Sequence, residues 1–162
     1  MIVAVIGDTH LPRGSRRLPT ECVERMASAE LIIHTGDFST ARAYEEIAAI
    51  GPELIAVYGN VDGAELRAML PARAVVEVAD ARIGVIHDAG PRSGRLVRMR
   101  REFPDTDAVV FGHSHMPLLE SDEGFQIFNP GSPTDRRRAP TRTMGIAEVE
   151  RDAVRFQHVT LS

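Results

Sequence analysis

Ile2-Val3-Ala4-Val5-Ile6-Gly7-Asp8-Thr9-His10 sets a pattern that the rest of the chain repeats. Its first five residues are apolar and mostly β-branched, with no polar position among them. That reads as a short strand buried on both faces. Gly7 then lets the backbone turn sharply, and Asp8 and His10 follow at alternate positions. The pattern returns four times. Residues 31–33 lead into His34-Thr35-Gly36-Asp37, and residues 54–58 into Gly59-Asn60-Val61-Asp62. Residues 83–86 lead into His87-Asp88, and residues 108–111 into Gly112-His113-Ser114-His115. Five strands thus each deliver Asp, Asn or His at the C-terminal end, the edge at which α/β sheets bind ligands.

Longer amphipathic stretches fill the intervals. A helix is expected from Thr20, burying Val23, Met26 and Ala27. Another covers 40–50, with Tyr44, Ile47 and Ala48 on one side, and Gly51-Pro52 ends it. Asp62 and Glu65 have capping-box spacing for a short helix reaching Met69. Residues 75–78 and 83–86 flank Asp80-Ala81-Arg82 as a hairpin. A basic helix is expected over 96–103, with Arg95, Arg98 and Arg101 solvated. Residues 125–128, 143–149 and 154–161 alternate like antiparallel strands with one wetter face. These elements compose an α/β domain of mixed sheets stacked face to face, with helices outside, spanning 1–162 as a single domain.

The bulk composition narrows the function. A net charge of -4 argues against a stable nucleic-acid partner. All 19 basic residues are arginine, whose planar fork suits phosphate, although genome composition explains the bias as well. The one cysteine, Cys22, excludes a disulfide framework and reads as a small core residue. Met1 to Ile6 is too short for a leader or a membrane span, so a cytoplasmic, membrane-free protein is expected.

Carboxylate, amide oxygen and imidazole suit Mn, Fe, Ni or Zn. Asp-x-His and His-x-His in an extended loop let alternate side chains converge on one site. Asp8-x-His10, Gly36-Asp37, Gly59-Asn60-x-Asp62, His87 and Gly112-His113-x-His115, in this order, resemble the calcineurin-like metallophosphoesterase signature. Asn129-Pro130-Gly131-Ser132 resembles the small bacterial and archaeal phosphodiesterase branch, to which the retromer subunit of the same fold is related. The resemblance spans residue 2 to about 160 and implies an αββα sandwich.

The resemblance also implies a ligand set. Asp8, His10 and His115 would hold one divalent ion, Asp37 would bridge, and Asn60, His87 and His113 would hold a second, with Asp37, Asn60 and His113 acting in catalysis. Mn is the first expectation. The implied nucleophile is a hydroxide held between the ions, whose pKa the metals lower. Formal charges then leave one positive charge, which balances a phosphodiester monoanion. Monoesterase relatives carry His where Val61 stands, and Val61 can donate no proton, so diesters with good leaving groups are the expected substrates. The expected partner is a small phosphodiester or nucleotide-like molecule, and a homo-oligomer is compatible with the chain.

Other readings stay open. A phosphomonoesterase or nucleotide pyrophosphatase shares the metal set, and a non-catalytic binding module shares the fold. Arg13 and Arg136 are candidate phosphate contacts, each from an arginine-rich loop that is otherwise a solvated surface. Asp88 orients a ligand or merely starts its loop. His34 reads as structural, His158 as unremarkable, and Asp62 as a helix cap.

Overall fold

The computed structural model describes residues 1–162. The elements run β1 (Ile2–Ile6), α1 (Thr20–Ala27), β2 (Leu31–His34), α2 (Ala41–Ala48), β3 (Glu53–Ala56), α3 (Ala64–Met69) and β4 (Arg73–Val78). They continue with β5 (Ala81–Ile86), α4 (Arg95–Glu102), β6 (Ala108–Val110), β7 (Leu118–Asp122), β8 (Phe125–Asn129), β9 (Arg142–Glu150) and β10 (Ala153–Leu161). Two five-stranded sheets form, in the orders β10-β9-β1-β2-β3 and β4-β5-β6-β8-β7. Strands β1, β2 and β3 are parallel in the first sheet, and β5, β6 and β8 are parallel in the second.

The period-2 rule explains how the layers stack. Val3 and Val5 point between the sheets, where they join Ile33, Ile83, Val85, Val110 and Phe128 in one core. Ala4 and Ile6 point the other way, onto Cys22 and Met26 of α1 and Ile47 of α2. On the far side, Val109 and Ile127 meet Met99 of α4 and Phe103 just after it. Both faces of the central strands are covered, so their sequences are apolar throughout. Thr40 caps α2, its hydroxyl accepting from the Ala43 N–H at 3.1 Å and donating to the Leu11 carbonyl. No helix is long and apolar enough to cross a membrane.

Several expectations need correction. In α1 the buried face is Cys22 and Met26, while Ala27 is exposed. The hairpin turns at Ala79-Asp80, and Ala81 and Arg82 already belong to β5. Strand β3 ends at Ala56, two residues earlier than the apolar run implied. Strand β7 was not expected. It is a half-exposed edge strand with a polar half, and its Leu-Leu-Glu-Ser-Asp sequence carries no β-branched signal. Strand β8 is antiparallel to β7 but parallel to β6, so the last third is not wholly antiparallel. Arg95 and Arg98 are not free surface charges. They donate to the carbonyls of Gly90 and of Ala89, Pro91 and Ser93, pinning the loop before α4.

Gly145 shows how closely the sheets approach. A Cβ added there would sit 2.3 Å from the Phe128 ring and 3.3 Å from the Val5 Cβ. Gly145→Ala should therefore cost about 1–3 kcal/mol of stability through overpacking. Urea denaturation checks this, and an unchanged midpoint would contradict the packing account.

Candidate metal centre

Loops after β1, β2, β3, β5 and β6 bring all seven candidate ligands to one end of the stacked sheets. Strands β1 and β2 are in register, Ile6 opposite His34, so Asp8 and Asp37 emerge side by side. The Asp8 N–H then donates to the Gly36 carbonyl at 2.9 Å, and the His10 N–H to the Asp37 carbonyl at 3.0 Å. Asp8, His10, Asp37, His113 and His115 all have positive φ, between 45° and 71°. Such backbone costs non-glycine residues of order 1–3 kcal/mol each and persists only where the surroundings impose it. Gly59 and Gly112 permit the close approach. A Cβ on Gly59 would fall 2.0 Å from Asp37 Oδ1, and one on Gly112 would fall 2.8 Å from Asp8 Oδ2.

The donor atoms converge in two overlapping sets, Asp8 with His10 and His115, and Asp8 with Asp37 and His87. His10 Nε2 stands 3.2 Å from His115 Nε2, and His115 Nε2 stands 3.6 Å from Asp8 Oδ1. Asp37 Oδ2 lies 3.6 Å from His10 Nε2 and 3.3 Å from His87 Nε2, between the two sets. Asn60 Oδ1 is 2.9 Å from His87 Nε2 and 3.0 Å from His113 Nδ1.

Hydrogen bonding fixes two tautomers. His87 Nδ1 faces the Thr35 carbonyl at 2.8 Å and His115 Nδ1 faces the Asp135 carbonyl at 2.5 Å. A carbonyl only accepts, so each Nδ1 carries a proton and each ring turns its Nε2 inward. Those nitrogens meet carboxylate oxygens, an amide oxygen and another imidazole. Asp8 Oδ2 is buried with no partner at all. Two ligand atoms each about 2.1 Å from a shared ion stand roughly 3.0–3.5 Å apart. The observed spacings cluster around that range, so the donor set fits divalent ions.

Electrostatics agree. Burial pushes the Asp8 carboxyl up to about 7, with the Asp37 charge adding to it and His87 opposing. Burial pushes His115 down to about 4 and also lowers His10. Burial would lower His87 as well, but its hydrogen bond to Asp37 and the charges of Asp8 and Asp37 raise it. For Asp37 the burial that would raise it is overcome by the hydrogen bond and charge of His87.

The remaining candidates sort by their contacts. Asp62 does not cap α3, whose N-cap is Gly63 without a side-chain bond. Its buried carboxylate accepts from the N–H groups of Asp37, Ser39 and Gly59 at 2.7–2.9 Å, and so holds the Asp37 loop. Ser132 and Asn129 also buttress the site. Ser132 donates to the Asp8 carbonyl at 2.8 Å, and Asn129 donates to the Gly112 carbonyl at 3.0 Å. His34 is fully buried beneath the site, between Thr9 and Gly36 and stacked on Phe38. Asp88 closes its own turn through the Gly90 N–H, leaving its other oxygen 3.9 Å from His113. Arg13 is exposed with no side-chain partner near Asp8. Arg136 donates to the Ala139 carbonyl within its own loop. Its neighbour Arg137 is the member of that run whose charge reaches the site, secondary to burial at His10 and His115, and Arg16 also acts on His10. A groove of about 800 Å³ lies at the other end of β1, around Met1 and Val154, away from all these groups.

Comparison with known proteins now bears on this centre. A family model for the calcineurin-like phosphoesterase superfamily domain matches residues 1–152. The chain belongs to the calcineurin-like phosphoesterase superfamily. Within the superfamily it is 33% identical over 137 residues to a probable metallophosphoesterase of Methanocaldococcus jannaschii, covering 83% of this chain and 69% of that one. It is 30% identical over 139 residues to a probable metallophosphoesterase of Methanothermobacter thermautotrophicus, covering 83% and 78%. Among solved structures, Entamoeba histolytica Vps29 in complex with zinc superposes with a TM-score of 0.79 at 23% identity over 99% of both chains. An archaeal phosphodiesterase gives 0.73 at 23% identity over 98% and 100%. These two likenesses establish the shared fold.

Metal loading should be linked to protons with a definite sign. Asp8 is raised from 3.8 to about 7, so the metal-free superfamily fold loses stability as pH climbs through that interval and burial opposes the charge. A divalent ion removes that penalty. The rise in Tm on adding Mn should therefore be larger near pH 8 than near pH 5. Differential scanning fluorimetry checks it, and an equal or larger shift at the lower pH would contradict the assignment.

Proposed function

We propose that the chain is a metal-dependent phosphodiesterase working at a binuclear centre. The observation that carries this reading is the spacing of the seven donors around Asp37, with Val61 at the mouth. Asp8, His10 and His115 would hold one ion, Asn60, His87 and His113 a second, and Asp37 would bridge. Mn is the first candidate, with Fe, Ni and Zn compatible with the donors. When bound, such ions activate water and offset the charge on the phosphoryl oxygens.

The chain's own residues prepare that chemistry. The Thr35 and Asp135 carbonyls keep the His87 and His115 lone pairs aimed inward. Asp62 fixes the Asp37 loop, and the Val61 N–H adds a hydrogen bond to Asp37 Oδ1 at 3.0 Å. Asn60 Oδ1 stands 2.9 Å from His87 Nε2 and 3.0 Å from His113 Nδ1, so one amide oxygen and two ring nitrogens face the same point. The Val61 side chain is 44% exposed, yet offers no proton to a departing oxygen. Leaving groups of low pKa therefore suit this site.

We further read residues 1–162 as one cytoplasmic domain acting on a small phosphodiester or nucleotide-like substrate, with Arg13 able to meet it. The core shared by both sheets supports one domain. The likeness to Vps29 supports a second reading, a protein-binding module that retains the metal site.

Turnover separates these readings. Mn-loaded protein should hydrolyse bis-p-nitrophenyl phosphate faster than p-nitrophenyl phosphate, and chelation should abolish both. Bound metal without turnover of either compound would favour the binding module. Val61→His should raise the monoester-to-diester ratio by about tenfold or more, by restoring a proton donor. A ratio that stays put would remove Val61 as the basis of the preference.

A further inference from the structure

Beside the metal centre, on the side of His10 and His115, lies a second feature that the ligand set does not use. It is a pocket of about 570 Å³ with an almost wholly polar lining that includes Arg13, Arg16, Arg17, Thr20, Thr134 and Arg142. Arg16 is spent on Asp135, 3.3 Å away. The guanidinium groups of Arg13, Arg17 and Arg142 form no ion pair and no hydrogen bond within the chain, so they are available to a ligand. Four arginines and no acidic side chain line the pocket, so the lining is net positive.

The start of α1 faces the same pocket. Its N-cap is Pro19, which has no side-chain acceptor, so no side chain satisfies the first-turn N–H groups. Uncapped helical N–H groups together with guanidinium forks form a strong site for a phosphate dianion.

The pocket shares a wall with the metal centre. Arg16 reaches the His10 carbonyl at 3.5 Å, and its partner Asp135 accepts from His115 through its own carbonyl. Thr134 donates to the Thr9 carbonyl at 2.7 Å. His10 and Arg13 are three residues apart, so their Cα atoms lie within about 11 Å. One small substrate can touch both places.

We propose that this pocket seats a second phosphate of the substrate, so that the preferred phosphodiester carries a further phosphate on one arm. The inference rests on the phosphodiesterase reading and narrows it to a substrate class. Positive charge beyond the metal ions then serves selection between diesters, while the ions serve the bond that breaks.

The test compares thymidine dinucleotide with and without a 5′ phosphate on Mn-loaded protein. Charge-assisted bonds predict a kcat/KM advantage of about tenfold or more for the phosphorylated form. The paired change Arg17→Ala with Arg142→Ala should bring the ratio close to one, and the ratio is insensitive to a general loss of active protein. Calorimetry on metal-stripped protein gives a readout without turnover. The 5′-phosphorylated dinucleotide should bind more tightly than the plain one, and the paired change should erase the difference. Equal use and equal binding of the two dinucleotides by the parent would overturn the proposal, as would an advantage that survives the paired change. Inorganic phosphate that binds the pocket and alters both dinucleotides equally would mark an independent anion site, and would also overturn it. Failure of the parent to hydrolyse bis-p-nitrophenyl phosphate would instead strike the phosphodiesterase reading, and calorimetry would still decide the pocket.

Discussion

Two buried carboxylates, Asp8 and Asp37, stand among inward-facing imidazole nitrogens, and no arginine pairs with either. That concentration of electron-rich atoms is the constraint on which the site depends. A buried carboxylate without a cation is costly: burial pushes the Asp8 carboxyl up to about 7, and the charges of Asp8 and Asp37 raise His87. A divalent cation satisfies the same lone pairs far better. The fold gathers donors that the chain alone leaves short of positive charge, which is the physical signature of a site built for ions.

The surrounding structure holds the donors in place against their strain. Left-handed backbone at five candidate ligands is unfavourable where it occurs. It is sustained by contacts from distant parts of the chain. Asp62 ties together three N–H groups of the β2 and β3 loops, and Ser132 reaches across from the loop before β9 to the Asp8 carbonyl. Beneath them, His34 fills the space between Thr9 and Phe38 as a neutral ring, since its full burial lowers its pKa well below 6.5. The stacked sheets supply the rigid floor, and Gly59 and Gly112 let the backbone close on the carboxylates.

Much of this was legible in the sequence. The apolar runs named the central strands because both faces of each are buried, and the residues after them named the candidate donors that the fold brings to one end. What the sequence hid depends on contacts between residues far apart in the chain. Asp62 has capping-box spacing with Glu65, yet its carboxylate turns to the Asp37 loop because three buried N–H groups there lack any other acceptor. Strand β7 carries little β propensity and forms because β8 offers it an edge. In the run Arg136-Arg137-Arg138, only the local turn decides which guanidinium folds back. Arg136 does so onto Ala139, leaving Arg137 free to act on the site. Tautomers, too, are invisible until the carbonyls of Thr35 and Asp135 are placed.

In the proposed phosphodiesterase the donor cluster would handle the phosphoryl group, and the arginine pocket on its flank would read what else the substrate carries. The metal reading rests on Asp37 lying between two ion sites. Anomalous diffraction at the Mn edge, from crystals grown with Mn, tests it most directly. The account predicts two peaks about 3.5–4 Å apart on either side of the Asp37 carboxylate, one beside Asp8, His10 and His115 and the other beside Asn60, His87 and His113. A single peak, or peaks that Asp37 does not touch, would contradict it.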